Sequence, residues 1–371
     1  GAGKQKHADP AASAGMFFNL LHGVILTCCV FIMPAFLKMF TNDAVTLDYG
    51  IRYSNIVFLF SIPVAAGISF EKIFQAVGKM TVSMIAMLAG CVTNIILDPI
   101  LIFGWWIFPE MGIEGAALAT GIGQVVTLII YLAIYLSKGL AVKIRFRGFT
   151  DFAKISRRTY AIGIPAALNM ALPSLMISVL NSILAVFSQT YVLVLGAYYK
   201  LQTFLYLTAN GIVQGMRPVL SYNYGAEEYK RVRGIFRVSL SFIFAVMVFG
   251  TILCAAVPDR LIGLFSTGSE TIEIGVHALR LICIGFIPSA LSVTVSGALE
   301  GLGKGGASLW VSLFRYVIVI LPAAYILSKT AGASGVWNAF WITETVTAVF
   351  SVILFAVTSK RSLSKPKIKS N

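Results

Sequence analysis

The chain has 371 residues, of which 58% are hydrophobic and only 12% are charged. Soluble domains carry about 25% charged residues, so this composition excludes an ordinary soluble protein and indicates a chain that lies in a lipid bilayer. The net charge of +14 would suggest nucleic-acid binding in a soluble protein. Here the basic residues fall in loops between apolar stretches, so no nucleic-acid partner is expected.

Apolar stretches long enough to cross the hydrocarbon core as a helix, about 20 residues each, recur along the whole chain. They are too long and too continuously apolar for barrel strands, so the predicted fold class is all-α, a polytopic membrane protein. We predict ten transmembrane helices, at residues 15–37, 51–73, 81–104, 115–137, 160–185, 190–216, 235–257, 274–298, 306–328 and 334–358.

Basic residues concentrate in the loops at one end of these helices. Lys72 is at the end of the second span and Lys79 follows it, and Arg157 and Arg158 precede the fifth, whereas the loops at the other end hold acids such as Glu110. The positive-inside rule makes the basic side cytoplasmic. We therefore predict a multi-pass protein of the inner membrane with both ends of the chain in the cytoplasm.

Glycine, proline and charged positions recur at an offset of about 225 residues; the segment 75–79, for example, matches 300–304. Such a duplication predicts two halves related by a pseudo-two-fold axis along the membrane normal, with a cavity between them. The second half has two spans before Gly225 and the first half has none before Gly1, so the first two helices of a 6+6 carrier are predicted to be missing. The predicted domains are an incomplete four-helix half (1–140), a basic linker (141–158), a six-helix half (159–359) and a basic tail (360–371).

Asp98 is the strongest candidate for a functional charge, because a charged residue facing lipid costs at least ~2.5 kcal/mol. It lies four residues after Asn94, on the same helix face, and Pro99 frees a backbone carbonyl beside it. This pattern predicts a site for a proton or for Na⁺ at Asp98 and Asn94. The alternative is that Asp98 caps a helix kink near the outer interface.

Glu344 and Gln124 occupy equivalent repeat positions and are expected to face the interiors of their halves. Glu344 is a second candidate for proton or cation binding, and a structural ion pair with Arg315 or Lys200 is the alternative. The sixth span carries polar and aromatic residues at helical spacing, which with Gln124 are expected to line a wet substrate cavity, or else to hydrogen-bond within one bundle. These residues are Tyr198, Gln202, Tyr206, Asn210, Gln214 and Arg217.

Sequence motifs for other chemistry are missing. The chain has no HExxH, GxSxG, Walker or dinucleotide-binding motif, so we expect neither an enzyme nor a nucleotide-driven pump. Its five cysteines show no CxxC spacing and its three histidines are scattered, which gives no support for a metal site. No cofactor is expected beyond Na⁺ or H⁺ as the coupling ion.

Several segments together resemble the multidrug and toxic compound extrusion (MATE) family over nearly the whole chain. They are 1–4, 74–79, 94–99, 112–120, 211–218 and 222–226. The resemblance implies a twelve-helix antiporter that exports amphipathic, mostly cationic organic compounds by alternating access, in exchange for Na⁺ or H⁺. We expect small organic cations as substrates, a lipid bilayer around the protein, and a monomer.

The resemblance also implies site residues. Similar family members have a cation-sensitive cavity with an Asn and an Asp that Asn94 and Asp98 match, and Tyr53 and Thr120 are looser matches. A first-helix Asp used by those members would lie in the missing segment. Other members place acids in two later helices, where this chain has only Glu273, so that second type of Na⁺ site is not expected.

Two alternatives remain open. Related branches of the superfamily move lipid-linked sugars or polysaccharides, and a flippase would need a strongly cationic cavity, for which Lys200, Arg217 and Arg315 are available. A membrane-embedded enzyme or a non-transporting receptor is the alternative from another class.

Overall fold

The computed structural model describes residues 5–145 and 152–363. Within these two ranges the backbone forms helices joined by short turns, and no strand occurs. Long apolar segments form helices in lipid because a helix satisfies its backbone hydrogen bonds within one segment. The predicted all-α fold is confirmed. Part of the predicted basic linker (146–151) and part of the basic tail (364–371) lie outside the described residues.

The chain divides into two compact units, here called the first unit (Gly3–Arg157) and the second unit (Arg158–Asn371). Asp43 is the N-cap of the helix that begins at Ala44 in the first unit. Its exposed carboxylate accepts a hydrogen bond from the backbone N–H of Thr46 at 2.8 Å. Hydrogen bonds from Thr46 also hold the pKa of Asp43 below its usual value. The helices of the first unit are α1 (Gln5–Cys28), α2 (Met33–Lys38), α3 (Ala44–Leu59), α4 (Ser61–Ala76), α5 (Met80–Phe103) and α6 (Ile113–Lys138).

The second unit is built from eight further helices, the first of which starts just before the boundary between the units. A π-helical segment, Phe314–Val319, separates two of them, and π-helical turns occur frequently at functional sites. The helices are α7 (Phe152–Ala185), α8 (Gln189–Gly225), α9 (Tyr229–Ala256), α10 (Pro258–Gly263), α11 (Ser269–Ile282), α12 (Phe286–Gly301), α13 (Gly305–Leu313) and α14 (Ile320–Leu363).

Among the described residues, seven helices are long and apolar enough to cross a membrane, or eight if the bent pair α3 and α4 forms one span. The sequence predicts ten. Two of the predicted spans, 306–328 and 334–358, lie in one helical stretch, Gly305–Thr358, which Ala331 and Gly332 interrupt with non-helical backbone angles. The predicted span 190–216 is helical as part of α8, but its polar residues make it too hydrophilic to count among these seven helices. The count of ten stays a prediction.

Two predicted helix bounds are wrong, and a proline lies beside each break. The first apolar helix runs from Ala8 to Phe31 instead of 15–37, because a separate short helix, α2, begins at Met33 with Pro34 in its first turn. The predicted span 51–73 is split at Phe60 into α3 and α4, which meet at a bend of 49°. Pro63 lies in the first turn of α4, where its missing N–H is tolerated. In the middle of one continuous helix made of α3 and α4, the same proline would remove a backbone hydrogen bond.

Two glycines set the close packing of α5 against α6. A Cβ atom added to Gly123 would lie 2.7 Å from the carbonyl oxygen of Gly90, and one added to Gly90 would lie 2.7 Å from the carbonyl oxygen of Gly123. Small residues at such contacts let helix backbones approach closely in membranes. The polar side chains on these two helices are therefore brought together by backbone contact.

We expect Gly123→Ala to lower the free energy of unfolding by about 1 to 3 kcal/mol, because the new methyl group can fit only if the two helices move apart. Thermal unfolding of the purified protein in detergent measures the change. The matched control is Gly15→Ala on α1, where no atom lies within 4 Å of the added Cβ. That variant should be neutral or more stable, since alanine favours a helix over glycine by roughly 0.5 to 1 kcal/mol. Equal losses in both variants would contradict the packing argument.

Candidate functional site

The predicted coupling residues of the first unit come together between α5 and α6. The Asn94 side-chain nitrogen donates to a carboxylate oxygen of Asp98 at 3.3 Å and to the hydroxyl of Thr120 at 3.4 Å. The Thr120 hydroxyl in turn donates to the carbonyl of Ala116 at 3.0 Å. Asp98 and Asn94 are half-buried. Tyr53, the fourth residue of the prediction, lies on α3 with 37% of its surface exposed, and the hydrogen bonds of this trio do not include it.

A cavity of about 160 Å³ opens beside this trio, inside the first unit. Asn94 from α5 and Thr120 and Gln124 from α6 line it, and so do Gly90 and Gly123. Gln124 is therefore placed with the predicted coupling residues of its own unit. Cys91, an exposed free cysteine, also lines this cavity.

Glu71 on α4 is a cavity-lining acid that the sequence analysis did not single out. Only 14% of its side chain is exposed, and one carboxylate oxygen accepts from Lys72 Nζ and from Gln75 Nε2, each at 2.8 Å. The signal available in the sequence was an acid five residues before the end of an apolar helix. The neighbouring basic residues, Lys72 and Lys79, predict a cytoplasmic loop here, so the sequence did not predict that Glu71 faces a cavity.

In the second unit, Glu344 forms the ion pair that was the alternative to cation binding. Arg315 Nε donates to a carboxylate oxygen of Glu344 at 2.8 Å, and Arg315 Nη2 donates to the same oxygen and, at 3.0 Å, to the Tyr206 hydroxyl. That hydroxyl donates to Ser289 at 2.8 Å. Arg315 and Glu344 are 7% and 9% exposed, so both charges are buried. Lys200 instead lies 5.6 Å from the ring centroid of Phe265 and is exposed.

A second cavity, of about 200 Å³, adjoins this pair within the second unit. Gln202 and Tyr206 from the predicted polar face of α8 line it together with Tyr199. Among the described side chains, the second carboxylate oxygen of Glu344 and the Tyr199 hydroxyl are buried without a hydrogen-bond partner. This cavity combines aromatic walls with a neutralised charge pair.

The remaining predicted residues of α8 do not join that cavity. Tyr198 is 1% exposed and packs in the hydrophobic core between Phe286 and Phe340, because its position on the helix faces neighbouring helices. Asn210 and Gln214 are exposed. Arg217 pairs with Glu300 at 2.5 Å. The sequence predicts that the polar residues of α8 line one cavity. In the structure they are instead distributed among the core, the cavity, the exposed surface and an ion pair.

Glu300 is the centre of a polar cluster in the second unit. Besides Arg217, it accepts hydrogen bonds from Asn169 at 3.0 Å and from Ser308 at 2.9 Å. Three donors therefore satisfy this carboxylate, and Arg217 keeps 40% of its side chain exposed. No group of three His, Cys, Asp or Glu residues within the described ranges is arranged to hold a metal ion.

Apolar helices long enough to cross a bilayer, with carboxylates and amides along their length, are typical of polytopic membrane proteins of the transporter type. The chain matches the model of the MatE family over residues 1–100 and 165–326, well over half of its length. It therefore belongs to the MatE family, and the resemblance found in its sequence is confirmed.

Two relatives with similar sequences are multidrug export proteins. Multidrug export protein MepA of Staphylococcus saprophyticus is 25% identical over 342 residues, which cover 91% of this chain and 74% of that protein. Multidrug export protein MepA of Staphylococcus aureus (strain MSSA476) is 26% identical over 309 residues, covering 83% and 67%.

Solved structures show the same fold. The outward-facing conformation of a multidrug resistance MATE family transporter of the MOP superfamily matches with a TM-score of 0.91 at 21% identity, covering 98% of this chain and 81% of that one. A MOP superfamily transporter from Pyrococcus furiosus, described as having a binding pocket of reverse polarity that suggests a different function, matches with the same score, identity and coverage. At this identity the likeness establishes the fold alone.

Proposed function

We propose that the protein is a cation-coupled antiporter that exports amphipathic, mostly cationic organic compounds by alternating access. Membership of the MatE family and the relatives named as multidrug export proteins support this proposal. The coupling ion is Na⁺ or H⁺, and no other cofactor is needed. In this proposal the chain crosses the inner membrane ten times, and its basic loops lie in the cytoplasm.

The observation that carries the proposal is the Asn94, Asp98 and Thr120 trio at the edge of a small cavity. Cavities that bind drug-sized ligands measure about 300 to 1,000 Å³. The cavity beside the trio measures about 160 Å³. It is too small for such a ligand but large enough for an inorganic cation with some water. This cavity therefore has the size of an ion site and not of a drug site.

Coupling follows if the ion binds the two conformations of the carrier with different affinity, because a ligand shifts an equilibrium only by that difference. Asp98 supplies the negative charge, and Asn94 and Thr120 supply oxygens to a cation or hold the carboxyl group in place. In the second unit, the cavity lined by Gln202 and Tyr206 measures about 200 Å³, which is also less than a whole drug-sized ligand needs. We therefore assign to it only the contact between its aromatic side chains and the charged group of an organic cation.

The observed ion pairs argue against the flippase alternative. A lipid-linked sugar phosphate would require unpaired basic residues, yet Arg315 and Arg217 are each neutralised by a glutamate. The remaining candidate, Lys200, is an exposed side chain beside an aromatic ring. The electrostatics of the described residues thus give no support for a phosphate-bearing substrate.

The proposal is tested with the purified chain in sealed vesicles, by following a fluorescent cationic dye while Na⁺ and H⁺ gradients are imposed separately. We expect the dye to accumulate against its own gradient when one of the two ion gradients is present. The gradient that drives accumulation identifies the coupling ion. If neither gradient moves the dye, the antiporter assignment is wrong.

A further inference from the structure

The cavity of the first unit extends away from Asp98 along one face of α6. Its polar members on that helix are Thr120, Gln124, Thr127 and Tyr131, which follow each other at intervals of four, three and four residues. Residues at this spacing lie on a single helix face. Eleven residues of helix rise about 16 Å, which is roughly half of a 30 Å hydrocarbon core. A polar line therefore runs from the trio halfway through the bilayer.

Glu71 lies at the far end of this line, beside Tyr131. Tyr131 donates to the backbone carbonyl of Ser83 near the start of α5, whereas Asp98 is near the end of the same helix, so Glu71 and Asp98 mark opposite ends. The end that carries Glu71 also carries Lys72 and Lys79, and is cytoplasmic by the positive-inside rule. The first unit thus has Glu71 in the cavity wall at one end, and Asp98 just beyond the other end, where it accepts a hydrogen bond from the cavity-lining Asn94.

The size of the cavity limits what can pass. A volume of about 160 Å³ holds several water molecules but is less than the roughly 300 Å³ that a drug-sized ligand needs. The backbone contact between Gly90 and Gly123 prevents the two helices from coming closer or accepting larger side chains there. A short row of waters with a proton or a single Na⁺ fits this space, and an organic cation does not.

We propose that Glu71 is the inner station of the coupling ion, which leaves Asp98 along this cavity and reaches the cytoplasm through the Glu71 carboxylate. This inference rests on the proposed antiport. For a proton, Asp98 gives up H⁺ to the waters, Glu71 receives it, and Glu71 then releases it to bulk water; for Na⁺, the ion itself moves between the two carboxylates. The pair with Lys72 does not oppose this, because Lys72 is 53% exposed and such pairs contribute about 0 to 1 kcal/mol.

The titratable groups that share the cavity with Glu71 are Cys91 from α5 and Tyr131 from α6, and Lys72 contacts it from α4. None of them is a second carboxylate. A response of transport to the ion on the cytoplasmic side should therefore report Glu71 itself.

The test uses the vesicle assay, with the coupling ion varied on the side that faces Glu71. Raising the ion there should slow wild-type transport, because it refills the inner station. In Glu71→Gln we expect gradient-driven turnover to fall about tenfold, and the inhibition by the cytoplasmic ion to disappear. The Kd of the dye should stay unchanged. Glu71→Asp, which keeps a carboxylate, should retain the inhibition, and Glu228→Gln, at an exposed acid of the second unit, should behave as wild type.

A second measurement works on the wild-type chain and needs no transport. Dicyclohexylcarbodiimide reacts with protonated carboxyl groups in membranes, so peptide mass spectrometry should find it on Glu71, and the coupling ion or a higher pH should protect that residue. Wild-type behaviour of Glu71→Gln, or labelling that neither condition reduces, would overturn the inference. Loss of the dye Kd in both Glu71 variants would overturn it too, by showing a structural role. Failure of the wild type to move dye would instead overturn the antiport proposal, while the labelling still decides the role of Glu71.

Discussion

Replacing Asp98 with asparagine is expected to reduce gradient-driven dye transport to the background level of empty vesicles. Asparagine keeps the size of the side chain and its position beside Asn94, but it carries no charge and cannot take up a proton. Two unit charges 4 Å apart attract each other by about 4 kcal/mol at an effective dielectric constant of 20. Loss of that attraction weakens ion binding by about a thousandfold. Initial rates of dye uptake under each ion gradient measure the effect.

The matched control for this change is Asp48→Asn in the same unit. Asp48 is 63% exposed and pairs with Arg52 at 3.6 Å on the surface of α3, so its charge lies in water. Transport by this variant should equal that of the wild type. Wild-type transport by Asp98→Asn would exclude Asp98 as the coupling site, and the ion site would then have to be sought elsewhere.

Arg315→Met should produce a large loss of stability in the second unit. It removes the donors that neutralise Glu344 while leaving that carboxylate 9% exposed. Breaking a buried ion pair from one side costs about 3 to 5 kcal/mol, because an uncompensated charge remains. The double variant Arg315→Met with Glu344→Gln removes both charges and should regain most of the loss. Thermal unfolding of the single and double variants in detergent gives the coupling energy.

Arg217→Met is the control for that experiment. Its partner Glu300 keeps the hydrogen bonds from Asn169 and Ser308, and Arg217 is itself 40% exposed. We therefore expect a much smaller loss, of about 1 kcal/mol or less. Equal losses at Arg217 and Arg315 would contradict the claim that burial determines the cost.

Local spacing predicted the part of the site that lies on one helix. Asn94 and Asp98 are four residues apart, so their side chains had to meet once α5 formed. The contact with Thr120 required the family resemblance, because it joins two helices. Sequence could offer an ion pair for Glu344 but could not choose between Arg315 and Lys200, since that choice depends on how the helices pack.

Glu71 and Tyr198 show what the sequence could not determine. Glu71 reaches the cavity because α4 packs beside α5 and α6, a tertiary contact that no local pattern encodes. Tyr198 lies on the same helix as Gln202 and Tyr206, yet it belongs to the aromatic core. A polar atom on a ring does not reveal whether the ring faces a cavity or other rings, so periodicity alone could not place it.

The contact between Gly90 and Gly123 also has a consequence for ion selectivity. A passage lined by side chains can widen or narrow when rotamers change. Where two backbones are in contact, the width of the passage is fixed. Selection between Na⁺ and H⁺ therefore cannot be adjusted by changing the width of the passage at this point. It has to come from the oxygens that line the passage, and in homologues that exchange one ion for the other we expect the differences to fall at Asn94, Thr120 and Gln124, with both glycines retained.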